Sequence, residues 1–421
     1  MLIAHSPGRP IGGAELTRVL ADGLARLDVD GRRVLLIVPD DTRTLPMPIL
    51  FETLVRSIAH RARSLTALVA LGTHHPMSPA ALERHLGAPL DDGGRCAGVR
   101  IVQHRWRDPK ALAIVGAIGR DEVRELSRGM LDEEIPVEVN REVLQADFVL
   151  LVGPVFPHEL IGFSGGHKYF FPGVSGPAMI DQTHWLGALI TSARVIGNRD
   201  TPPRALIEAA ARLVRVERAG LWLGVLGDEI HGVFLGPVRK SWEAAVELSA
   251  RLNIVWTPRA FHTVVACVPE RYEDLWIASK CSTMLEPVVE DGGTLVLLAP
   301  HVTEPAPAIG GWHERIGYHV RDWFLADLGR FAGVPRVVLG DLTLLPGIGT
   351  FRDGVERRRI HVKIASGISE QRCRLMNLEW ADPAAYPLDR LDGREAEGIL
   401  VVRDSGRMLY RLADGSVNAV G

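Results

Sequence analysis

Short apolar runs alternate along this chain with longer stretches in which apolar positions recur every three or four residues. RRVLLIVPDD (32–41), SLTALVALGTHHP (64–76) and ADFVLLVGPVFPH (146–158) predict strands, and FHTVVACVPE (261–270), GTLVLLAP (293–300), PRVVLG (335–340) and GILVVRD (398–404) continue the series. An unbroken apolar run bounded by turn residues suits a strand covered on both faces. ILFETLVRSIAHRA (49–62), PPRALIEAAARLVRV (202–216) and KSWEAAVELSARL (240–252) carry helical spacing instead. Strands alternating with helices predict an α/β fold: two domains with mainly parallel sheets flanked by helices. TPRA (257–260), where a fresh strand series begins, marks the expected seam between domains 1–258 and 259–421, with the C-terminal tail expected to pack back on the first domain.

Composition narrows the class. The chain has 421 residues, enough for two to three domains at roughly 150 residues each. Hydrophobic residues make up 47% and charged ones 24%, the balance of an ordinary globular protein. A net charge of −3 with no basic stripe argues against a nucleic-acid partner. The four cysteines are scattered and form no CxxC pair, as expected in a reducing compartment. MLIAHSPGRPIGG lacks the basic and apolar regions of a signal peptide. The weakly charged stretch from Tyr169 to Ala193 contains Asp181, His184, prolines and glycines, so no membrane span is expected. The expected location is cytoplasmic.

Of the 48 Lys and Arg residues only five are Lys: Lys110, Lys168, Lys240, Lys280 and Lys363. A coding bias toward Arg explains the skew most simply. An amine, unlike a guanidinium, can lose its proton and act as a nucleophile, so a surviving Lys among other reactive residues invites chemistry.

Reactive residues gather at the carboxyl ends of the predicted strands, where open α/β sheets hold ligands. The first end carries Asp40, Asp41, Thr42 and Arg43, which serve either as a helix cap or as a clamp for a carboxylate or phosphate. The second carries His74 and His75, and the third, PVFPHELIGFSGGHKYFFPGVSG, carries His158, Ser164, Gly165, Gly166, His167 and Lys168. Histidines in such loops are either structural hydrogen-bonders or proton carriers near neutrality. GFSGGHK imitates a phosphate loop, but Tyr169 stands where Ser or Thr is required. No GxGxxG follows a strand, and HExxH and paired CxxC zinc signatures are absent.

Together DDTR, GTHHP, PHELIGFSGGHKYFFPG, the following His184 and IGNRDTPPRALIEAAA (196–211) resemble the nickel-pincer lactate racemase family, from about residue 35 to at least residue 300. The resemblance implies an isomerase, a racemase or epimerase of a 2-hydroxy acid. Its cofactor would be a pyridinium-3-thioamide-5-thiocarboxylate mononucleotide holding nickel. Lys168 falls where the family's lysine joins the cofactor through the thioamide, and His184 at the nickel ligand, a donor type that suits nickel. His74 and His158 fall at the two acid/base histidines. Asp40, Asp41, Thr42 and Arg43 match the segment holding the cofactor and the substrate carboxylate, and Ser164, Gly165 and Gly166 join the cofactor site. One His would, by this resemblance, take the hydroxyl proton while the C2 hydride moved to the pyridinium ring; the planar 2-keto acid would reorient, take the hydride back on its other face and regain a proton from the opposite His. By this resemblance residues 1–258 bind the cofactor, residues 259–421 close over the substrate, and the active site lies in the interdomain cleft. Cofactor-making enzymes would be required for maturation; the oligomeric state stays open.

Lys280, in LWIASKCS, resembles the family's second-domain lysine near the substrate. Family members carry Tyr and Gln just before it, where this chain has Trp276 and Ile277. That change predicts a substrate more hydrophobic than lactate, unless these side chains merely pack. Two rival readings are a non-catalytic hydroxy-acid or cofactor-binding protein, and a nickel-independent enzyme using Lys168 as a Schiff base. A 2-epimerase of a sugar acid would use the same carbon centre.

Overall fold

The computed structural model describes residues 2–5, 9–305 and 311–415. Residues 416–421, the end of the expected tail, and part of the N-terminal stretch read for a leader lie outside the described residues. The chain forms two compact units. One comprises residues 1–156, 163–183 and 204–252; the other comprises 157–162, 184–203 and 253–421.

The first unit is built on an eight-stranded sheet. Its strands are β1 (Leu2–His5), β2 (Arg33–Val38), β3 (Ser64–Val69), β4 (Arg95–Cys96), β5 (Val99–Gln103), β6 (Phe148–Val155), β7 (Glu217–Leu226) and β8 (Glu229–Gly236). They lie in the order β1-β8-β7-β6-β2-β3-β5-β4. The five central strands run parallel, and antiparallel strands complete both edges. β2 is buried from Val34 to Val38 and β6 along its whole length, as their unbroken apolar sequences require. Helices α1 (Gly13–Leu24) and α2 (Met47–Ile58) pack on the sheet. α2 buries Met47, Leu50, Phe51, Leu54 and Ile58, an apolar stripe at helical spacing. They join Leu36, Val38, Ala67, Val69, Leu150 and Val152 in one core.

The second unit holds a five-stranded, wholly parallel sheet. Its strands are β9 (Phe261–Cys267), β10 (Val289–Ala299), β11 (His361–Ser366), β12 (Glu379–Trp380) and β13 (Ile399–Val402), in the order β12-β11-β10-β9-β13. Leu409–Leu412 pairs in parallel with Ile254–Thr257 in the same unit. The fold is therefore α/β with mainly parallel sheets flanked by helices. PRVVLG, expected as a strand, is instead the helix Arg336–Asp341. A six-residue apolar run has no periodicity that separates strand from helix, and Pro335 precedes the first turn, a position compatible with a helix start. No described helix is long and apolar enough to cross a membrane.

Candidate functional site

Strand order reverses at β2: the chain leaves it for β3 on one side and later returns to its other side with β6. Loops diverge at such a switch point and leave a crevice at the carboxyl ends of the strands. A pocket open to solvent lies there. Pro39, Asp40 and Arg43 follow β2, Ala70 follows β3, and Pro154 and Phe156 come from the end of β6. Ser164, Gly165, Lys168, Tyr169 and Gly173 close it. The Arg43 guanidinium lies 5.5 Å from the centre of the Phe156 ring.

Asp40 is buried, and both its oxygens are engaged. Oδ1 accepts from the Thr42 hydroxyl at 2.5 Å and the Thr42 amide at 3.2 Å, while Oδ2 lies 2.5 Å from His74 Nδ1. Burial alone would push this carboxyl up, but His74, Arg43 and Thr42 outweigh it and hold it well below the usual carboxylate range. The His74 amide donates to the Leu71 carbonyl at 2.9 Å, closing a turn in which Gly72 has φ +54°. The Gly72 amide in turn donates to the Gly173 carbonyl at 3.0 Å, and the Gly173 amide to that of Lys168 at 2.9 Å. The histidine turn and the lysine loop are thus one hydrogen-bonded assembly. Asp41 is exposed and does not line the pocket.

From Phe163 to Gly176 every residue is buried except Lys168. Buried backbone needs partners, and this loop finds them beneath the pocket. The Ser164 hydroxyl donates to the Pro154 carbonyl and accepts from the Phe156 amide, both at 2.9 Å. Trp242 Nε1 donates to the Ser164 carbonyl at 2.7 Å. Arg204, fully buried, donates to the carbonyls of Gly165, at 3.1 Å, and Phe163, and stacks on the Trp242 ring. Gly165, at φ +77°, has no room for a Cβ, which would fall 2.8 Å from Val155 and 3.1 Å from Trp242. Gly166 packs on Arg204 and Trp242 and is not a pocket wall. His167 turns away to Glu208, at 2.7 Å.

The remaining predicted residues belong to the second unit. His158 is buried, and its Nδ1 accepts from the Leu160 amide at 3.3 Å. His184 lies on helix α3 (Pro177–Ile190), whose Gly187 packs directly against the Leu160 backbone. Helix α4 (Leu275–Leu285) is capped by Asp274, which accepts from the Ile277 amide at 2.9 Å. Within α4 only Trp276, Ile277 and Lys280 are not buried, and that spacing puts them on one face. The Trp276 ring meets His313 edge-on, and His313 Nε2 donates to Asp341 at 2.8 Å.

Residues 10–197, which contain the whole pocket wall, match the family model of the lactate racemase N-terminal domain. Over these residues the chain is similar to lactate racemase N-terminal domains. A lactate racemase from Lactiplantibacillus plantarum is 25% identical over 293 residues, covering 66% of this chain and 62% of that protein. One from Thermoanaerobacterium thermosaccharolyticum is 25% identical over 308 residues, covering 71% of this chain and 65% of that protein. The lactate racemase-like chain thus spans somewhat under two thirds of the length of these curated relatives. Among solved structures, a Thermotoga maritima protein superimposes with a TM-score of 0.87 at 28% identity, covering 96% of this chain and 99% of that one. The lactate racemase apoprotein from Thermoanaerobacterium thermosaccharolyticum shares the fold, with a TM-score of 0.71 at 16% identity over 96% of this chain and 93% of that one.

Sequence reasoning missed several parts of this lactate racemase-like site. Phe156 and Tyr169 are pocket walls, and Arg204 and Trp242 support the loop. Burial pushes the Tyr169 phenol up, so it stays protonated. A signal for Tyr169 was available: Gly153 interrupts the apolar run of β6, and a Cβ there would collide with the Tyr169 phenol. Glycine inside a strand often marks such a close approach.

Proposed function

We propose that this chain is a racemase or epimerase acting at C2 of a 2-hydroxy acid, and that Lys168 covalently carries a nickel-pincer pyridinium mononucleotide. The observation that carries the reading is the position of Lys168. It is the one non-buried residue of its loop, and it lines a pocket shared with Arg43, Ser164 and the Asp40–His74 pair. The donor set fits such a group. Among the described residues no three His, Cys, Asp or Glu side chains converge on a metal position, so a nickel ion bound through His184 would take its remaining ligands from the sulfur and carbon of the organic group, soft donors that suit it.

When bound, the group supplies a reversible acceptor for the C2 hydride. The protein's part is acid–base chemistry and positioning. His74 and His158 exchange the hydroxyl proton, and Arg43 holds a carboxylate by paired hydrogen bonds. Lys168 provides the tether and His184 the imidazole ligand. Trp276 and Ile277, on the same helix face as Lys280, favour a substrate more hydrophobic than lactate.

Intact-mass spectrometry of protein made beside the cofactor-producing enzymes is expected to show one pyridinium adduct, absent from Lys168→Ala. The loaded protein should then racemise aromatic or longer aliphatic 2-hydroxy acids faster than lactate. No adduct under those conditions removes the cofactor assignment, and a preference for lactate removes the substrate assignment.

A further inference from the structure

We infer that Asp40 is a positioning residue for His74, fixing the imidazole as the tautomer protonated on Nδ1 so that Nε2 is the atom that exchanges a proton. The inference builds on the proposed acid–base role of His74, but its geometry stands apart from that role. An ionised carboxylate offers about four acceptor positions. Two on Asp40 Oδ1 are taken by the Thr42 hydroxyl and amide, and one on Oδ2 by His74. That leaves little capacity for holding a ligand and identifies the carboxylate as a protein-facing group. Because a carboxylate can only accept, the contact of 2.5 Å requires the proton on His74 Nδ1. The neutral ring then carries its lone pair on Nε2.

Two further features hold the pair in register. The Asp40 side chain is pinned to its own turn by Thr42, and the His74 backbone is pinned to Leu71. The Asp40 carboxylate cannot rotate without breaking its bonds to Thr42, and the turn that carries the His74 backbone is held at Leu71. In a proton transfer the substrate O–H bond breaks and a bond forms at Nε2. The resulting imidazolium is balanced by the buried Asp40 charge, already in place beside it.

The test uses protein labelled with nitrogen-15 in histidine, with the His74 signals assigned by their loss in His74→Gln. Wild-type protein is expected to show the Nδ1-protonated form at His74. Asp40→Asn should lose or invert that preference while retaining cooperative unfolding, and Asp40→Glu should partly restore it. In loaded enzyme, Asp40→Asn should lower kcat by at least tenfold with KM changed less than threefold, the pattern of a lost transition-state interaction. An Nε2-protonated His74 in the wild type, or an unchanged tautomer in Asp40→Asn, overturns the inference; the wild-type measurement decides even if the variant fails to fold. If the tautomer behaves as expected but the loaded wild type turns over no 2-hydroxy acid, the racemase reading falls and the positioning of His74 stands.

Discussion

His104 is buried with both ring nitrogens satisfied: Nε2 donates to the Ser175 carbonyl at 3.0 Å and Nδ1 accepts from the Asn140 amide at 3.1 Å. Burial outweighs the help of the carbonyl and lowers its pKa from 6.5 to about 4. The unfolded chain therefore binds a proton that the folded chain refuses between those values, so stability falls as pH drops from 6.5 toward 4. The loss attributable to His104 is about 3 kcal/mol. Denaturant unfolding at pH 7 and pH 4.5 should show a steeper acid loss in wild type than in His104→Gln; equal slopes would refute the assignment. At this scale the sequence was partly legible. Strand-end histidines, Arg43 and Lys168 stood out because reactive side chains there are conspicuous. The Asp40–His74 bond, by contrast, joins residues 34 apart, and only the side-by-side pairing of β2 and β3 brings them together.

Among the elements, the Gly-rich loop depends on groups that sequence reading passed over as ordinary helix residues. Arg204 lies in PPRALIEAAARLVRV, where an arginine would be expected to face solvent, yet it is the buried clamp on two loop carbonyls. Removing it leaves buried acceptors without their donor, so Arg204→Leu is expected to cost about 2 kcal/mol or more in denaturant unfolding. Arg204→Lys should recover little of this, because an ammonium lacks the planar fork. A cost below about 0.5 kcal/mol for Arg204→Leu, the size of an ordinary surface change, would mean the clamp is incidental. β7 and β8 escaped the strand reading for a related reason. Gly224 and Gly232 look like turn punctuation but sit in mid-strand, because Leu248 occupies the space a Cβ would need. Helix α2 and strands β2, β3 and β6 were legible because their burial patterns are simple.

At the level of the whole chain, compactness does not follow sequence continuity. Residues 157–162 and 184–203 fold with the C-terminal region, and Arg411 donates to the Ile196 carbonyl while Gly197 packs under Leu409. A fragment of residues 1–258 would carry these segments without their partners. It is expected to be less protected there than the full chain, with amides around Ile196 and Gly197 exchanging readily by hydrogen-exchange mass spectrometry. Equal protection in fragment and full chain would show that the N-terminal segment folds without them. The alternation of strands and helices announced an α/β fold, but periodicity describes neighbours in sequence and carries no record of which distant segments share a core.

The burial of every residue from Phe163 to Gly176 except Lys168 has a use in protein engineering. In a chain with five lysines, one amine stands in a walled recess on a backbone braced by Trp242 and Arg204. Such a position is an anchorage for bioconjugation: an activated ester shaped to the recess would be directed to Lys168 by fit, while bulkier reagents would be left to the other lysines. A synthetic redox heterocycle installed this way would turn the scaffold into a semisynthetic enzyme whose reactivity is chosen by the chemist.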